Sequence, residues 1–103
     1  MLASERKTEI VDLAKALIAR QSLSGQEKDA AEEWKRYLTV HGFDHVETDR
    51  YGNVLGRIKG NRPGPRLLFD GHLDTVPAAD PAAWTHPPFA PEEIDGRLYG
   101  RGA

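Results

Sequence analysis

Apolar positions recur at helical spacing through the first part of the chain. Ile10, Val11, Ala14, Leu17 and Ile18 fall on one stripe, while Arg6, Asp12 and Lys15 fall mostly elsewhere. Steps of three and four residues stack side chains on one face of an α-helix, so this stretch reads as a first amphipathic helix. Gln21 to Gly25 interrupts it. Ser24 followed three residues later by Glu27 reads as a capping box opening a second helix. Ala30, Ala31, Trp34 and Leu38 give that helix its buried face, and Gly42 supplies a stop.

From Phe43 the period shortens. Val46–Thr48, then Asn53–Ile58 after a turn containing Gly52, then Arg66–Phe69 after Asn61-Arg62-Pro63-Gly64-Pro65, read as short strands. Leu67, Leu68 and Phe69 form an unbroken apolar run, the pattern of a strand covered on both faces, so an internal strand is expected here. Five of the seven prolines fall between Pro77 and Pro91. That density excludes a helix and predicts a structured loop, held down if Trp84 and Phe89 bury. Asp95-Gly96 between Ile94 and Leu98 signals a tight hairpin. The fold class is therefore α/β, two helices followed by part of a mixed sheet.

Composition narrows the partners. A chain of 103 residues is the size of one domain. Its net charge of −2 gives no long-range attraction to nucleic acid or to an anionic membrane. Arg57, Lys59, Arg62 and Arg66 cluster, but Asp44, Glu47, Asp49 and Asp70 lie near them in sequence, which suits a solvated edge. Cysteine is absent, so any metal has to be held by His and carboxylates. No signal-peptide run or spanning segment is visible, and the expectation is a soluble cytoplasmic protein.

The candidate chemistry lies in Asp70-Gly71-His72-Leu73-Asp74-Thr75-Val76-Pro77, directly after the expected internal strand. If the backbone stays extended, Asp70, His72 and Asp74 project to one side. A neutral imidazole beside carboxylates is available as a metal ligand, with a carboxylate near enough to fix its tautomer. A structural histidine paired with an aspartate gives the same pattern, and spacing alone leaves both readings open. Asp70 is equally readable as a buried structural carboxylate.

Leu67–Pro77, followed by Trp84, Pro88-Phe89 and the run Asp95-Gly96-Arg97-Leu98-Tyr99-Gly100-Arg101-Gly102-Ala103, resembles the acetylornithine deacetylase, succinyl-diaminopimelate desuccinylase and carboxypeptidase G family of zinc-dependent hydrolases. Ser22–Glu27 is similar to the segment that joins that family's first two helices. The resemblance implies that residues 1–103 are the N-terminal, opening portion of a zinc-peptidase catalytic domain, without the lid or dimerisation domain. It implies that His72 is a metal ligand and Asp74 the acidic residue usually counted as catalytic. It implies two zinc ions, replaceable by cobalt or manganese, and hydrolysis of an amide bond in a small peptide or N-acyl amino acid, as in the family's deacetylases. In the family the Gly-Arg-Gly-Ala run leads to a metal-bridging aspartate and later to glutamates and further ligands. These lie beyond Ala103, so the chain alone is expected to be inactive, with a homodimer open only to a full-length form. The alternative is a non-catalytic binding or assembly module retaining part of the fold.

Overall fold

The computed structural model describes residues 3–103. Helix α1 spans Ser4–Ile18 and helix α2 spans Lys28–Val40. They are followed by two antiparallel hairpins, β1 (His45–Thr48) with β2 (Val54–Arg57), and β3 (Glu92–Ile94) with β4 (Arg97–Tyr99). A short 3₁₀ turn, Pro81–Ala83, lies in the proline-rich loop between them.

The apolar stripe of α2 buries as its spacing requires: Ala30, Ala31 and Leu38 are core residues. Trp34 is half-buried and stacks on Tyr37 with centroids 5.6 Å apart. Glu33 also faces inward, with 6% of its side chain exposed, held by Arg20 at 2.8 Å and Arg36 at 2.5 Å. A buried carboxylate demands such partners, because its desolvation is otherwise uncompensated. The helix ends in a Schellman motif: the Phe43 amide bonds the Leu38 carbonyl and the Gly42 amide that of Thr39, with Gly42 at φ 74°.

The N-terminus of α2 departs from expectation. Its cap residue is Glu27, with no side-chain cap bond. Ser24 lies outside the helix and its hydroxyl is committed elsewhere, while the Glu27 carboxylate accepts from the Gly25 amide at 2.6 Å. The capping box is thus replaced by a tight loop.

Hairpin β1–β2 pairs His45 with Arg57 and Thr48 with Val54. Its turn is organised by Asp49, whose carboxylate accepts from the amides of Tyr51 and Asn53 and from the Asn53 side chain. Those bonds, the Asn53 side chain foremost, hold the Asp49 carboxyl below its ordinary range. The sheet meets α2 through Gly56, where a Cβ would lie 2.8 Å from both Leu38 Cδ1 and Phe43 Cδ1.

The expected third strand does not form. Leu67, Leu68 and Phe69 are 80%, 91% and 91% exposed and make no ladder among the described residues. An apolar run signals burial, but a strand also requires a neighbour to accept its backbone bonds. The sheet is correspondingly two separate antiparallel pairs rather than one mixed sheet. The core is thin. The accessible surface is 8368 Å² for 11.4 kDa, against roughly 5,800 Å² for a compact monomer of that mass.

Candidate functional site

The candidate site begins where the extended segment after Phe69 meets the loop between the helices. Leu23 and Thr75 form an isolated parallel bridge. The Thr75 amide donates to the Ser22 carbonyl at 2.7 Å, and the buried Ser22 hydroxyl donates to the Leu73 carbonyl at 2.8 Å. These bonds fix the backbone on either side of Asp74.

The Asp74 carboxylate is gripped at both oxygens. Ser24 Oγ donates to Oδ2 at 2.6 Å, and His72 Nδ1 lies 3.1 Å from Oδ1 and 2.9 Å from the Asp74 carbonyl oxygen. The Ser24 hydroxyl is the main cause that holds the Asp74 carboxyl below its ordinary range, with His72 contributing further. Both acceptors at Nδ1 favour the tautomer with its proton there, which leaves the Nε2 lone pair free. The imidazole is 84% exposed, so that lone pair faces open space.

His72 and Asp74 line a broad depression of about 1000 Å³, together with Trp34, Tyr51, Leu55, Leu68 and Phe69. Asp70 lines it as well but stays exposed and takes no part in the bonds of the pair. Exposure removes the reading of Asp70 as a buried structural carboxylate. Gly71 has open space where a Cβ would stand, so no backbone approach depends on it.

The other histidines lie apart from this pair, His41 and His45 exposed and His86 half-buried, each beside a carboxylate. His41 Nε2 is 3.0 Å from Glu9 and its ring lies on Tyr37; His45 pairs with Glu47; His86 contacts Glu92 and the ring of Tyr99. The proline-rich loop is anchored as expected: Trp84 Nε1 donates to the carbonyl of buried Ala78, and the Arg101 guanidinium lies 4.5 Å above the indole. Phe89 is half-buried. The terminal run packs beside Thr75, with the Arg101 amide bonded to the Pro88 carbonyl and Gly102 set close to the Thr75 methyl.

The donor set fits a divalent cation in part. His72 presents one unencumbered nitrogen of the right chemistry, its other nitrogen held by a carboxylate and a carbonyl as metal-ligating imidazoles usually are. Among the described residues no group of three or more His, Cys, Asp or Glu converges on one point. A zinc site takes three or four protein ligands, so the described residues do not make up such a site by themselves.

The sequence singled out His72 and Asp74, which the structure brings together, but read Ser24, the third member of that hydrogen-bonded group, as a helix cap. The available signal was the pair of serines at alternate positions, Ser22 and Ser24, which suits an extended loop segment better than a cap.

Two comparisons with known proteins bear on this arrangement. Residues 68–103, which hold His72 and Asp74, match peptidase family M20/M25/M40. Over 98 residues the chain is 42% identical to a succinyl-diaminopimelate desuccinylase of Alkalilimnicola ehrlichii, an alignment covering 93% of this chain and 26% of that protein. The chain thus spans about a quarter of the length of that relative. Among the described residues no helix is long and apolar enough to cross a membrane.

Proposed function

We propose a function from one premise: the chain is a segment of the peptidase family that its residues 68–103 match. In this reading it contributes one metal ligand and its orienting carboxylate to a metal-dependent hydrolase of amide bonds. The substrate class is a small peptide or an N-acyl amino acid, an N-succinyl diamino acid being the first to try given the relative's name. The observation that carries the reading is the His72–Asp74 pair, with Nδ1 engaged and Nε2 free and exposed.

The chain's residues divide the work as follows. His72 offers Nε2 to the cation. Asp74 holds the ring in the tautomer and orientation that this requires, and keeps its negative charge beside the ring. Zinc, or cobalt or manganese in its place, supplies Lewis-acid polarisation of the scissile carbonyl and activation of water when bound. The depression bordered by Trp34, Tyr51 and Phe69 supplies apolar walls against which the substrate can be seated.

The test uses the full-length protein with N-succinyl and N-acetyl diamino acids, before and after metal removal by a chelator. Hydrolysis that needs a divalent cation and is lost in His72→Ala is the expected result. Metal-independent hydrolysis, or full activity in His72→Ala, would overturn the reading. A polypeptide of residues 1–103 is expected to bind zinc weakly and to turn over none of these substrates, because one ligand cannot close a zinc site. The rival reading, a non-catalytic assembly module, predicts no metal-dependent turnover by the full-length protein.

A further inference from the structure

We propose that Ser24 is a positioning residue for the metal site, acting through Asp74 on the tautomer and orientation of His72. The inference rests on the hydrolase reading for its purpose, while its physical basis is independent of it. Ser24 Oγ, Asp74 and His72 Nδ1 form one chain of hydrogen bonds, 2.6 Å and then 3.1 Å, in which each carboxylate oxygen has a single side-chain donor. A carboxylate with one oxygen tied can still rotate its other oxygen away from the ring. With both tied, it presents Oδ1 to Nδ1 in one orientation.

The loop that carries Ser24 is built to hold it. Ser22 is 4% exposed and clamps Thr75 and Leu73 by backbone and side-chain bonds. The Gln26 amide closes back on the Leu23 carbonyl at 2.7 Å, Gly25 takes φ 84°, and the Glu27 carboxylate caps the Gly25 amide. The hydroxyl is therefore placed by a rigid loop some 50 residues away in sequence from the carboxylate it holds. Ser24 itself is exposed, so removing its hydroxyl opens no cavity.

The experiment takes the full-length protein, wild type, Ser24→Ala, Ser24→Thr and His72→Ala. In metal-free protein, above the ordinary histidine pKa of about 6.5, ¹⁵N NMR of the imidazole reports which nitrogen of His72 carries the proton. Zinc affinity is measured by competition with a chromophoric chelator. Wild type is expected to carry the proton on Nδ1. Ser24→Ala is expected to show mixed tautomers and zinc binding weaker by about tenfold, the lower end of what loss of an outer-shell partner causes. Ser24→Thr, which keeps the hydroxyl, is expected to restore both.

The proposal is overturned if wild type lacks the Nδ1–H form, if Ser24→Ala keeps both tautomer and affinity, or if Ser24→Thr is as impaired as Ser24→Ala. His72→Ala separates the two ideas. Unchanged zinc affinity in that variant removes the metal-ligand reading, while the metal-free tautomer measurement still decides what Ser24 does.

Discussion

Gly100 packs between the end of α1 and Pro88, and adding one methyl group there should be costly. A Cβ at this position would lie 2.5 Å from Ile18 Cγ2 and 3.4 Å from the Pro88 carbonyl oxygen. Carbon atoms in contact sit about 3.5–4.0 Å apart, so the overlap is about 1 Å or more. Ile18 is 8% exposed and closes α1, and it has little room to withdraw. The backbone adds to the penalty, since φ at Gly100 is 154°, a value that residues with a side chain rarely adopt. Overpacking costs about 1–3 kcal/mol and an unfavourable backbone angle about 1–3 kcal/mol. Gly100→Ala should therefore destabilise the full-length protein by about 2–4 kcal/mol, at the cautious end of that sum. Urea unfolding followed by tryptophan fluorescence reads this directly, as Trp84 stacks under Arg101, the residue next to Gly100. The overlap can be isolated. Ile18→Ala removes the atom that Gly100→Ala would strike, so the double variant should be more stable than the sum of the single losses by about 1–2 kcal/mol. Losses that add to within about 0.5 kcal/mol would refute the steric argument.

Glu33 offers a test of pH dependence. Its bond to Arg36 chiefly, with the charge of Arg20, holds its carboxyl below the ordinary 4.5. A depressed pKa contributes stability that is complete above the ordinary value and disappears as pH falls through the folded one. Glu33→Gln should cost about 1–3 kcal/mol at pH 7, less than a fully enclosed pair because both guanidinium groups reach solvent. The gap should close as pH is lowered below 4.5; a gap that stays constant down to strongly acidic pH would show that charge is not the cause. A second test concerns Leu67–Phe69. A polypeptide of residues 1–103 should self-associate through this exposed apolar segment, and Leu68→Lys with Phe69→Lys should return it to monomer in sedimentation velocity. A clean monomer with a cooperative melt in the unmodified polypeptide would contradict that expectation.

What could be read in advance was what is decided locally. The stripe of α2, the Gly42 stop, the hairpin around Asp49–Gly52 and the turn at Asp95-Gly96 all depend on residues within a few positions of one another. Asp95 and Gly96 take φ 51° and 74°, the conformation that this dipeptide signals. The stripe of α1 was less well met, because Ile10 is 50% exposed and only Ile18 of that set is buried. The inward turn of Glu33 was hidden because a charged residue in an amphipathic pattern is ordinarily assigned to solvent, and its pairing with Arg20 joins separate elements.

The two departures at Ser24 and at Leu67–Phe69 share a cause. Each residue pattern was matched to a nearby solution, a helix cap or a ladder, when the partner that decides the outcome is distant in sequence. Ser24 finds its acceptor in Asp74, and the loop that brings the two together leaves Ser24 outside α2, whose cap residue is Glu27. Leu67, Leu68 and Phe69 have the composition of a covered strand but no ladder neighbour among the described residues. Burying three such side chains is worth about 1.5–3 kcal/mol each, so a surface that covers them would stabilise the segment that leads straight into His72. Order at the imidazole would then come from two directions. The Ser22–Ser24 loop acts on Asp74 from one side, and whatever pairs with Leu67–Phe69 acts on the backbone from the other. Loss of the first should disturb the His72 tautomer while leaving the fold intact. Loss of the second should loosen the whole segment and move tautomer, zinc affinity and stability together.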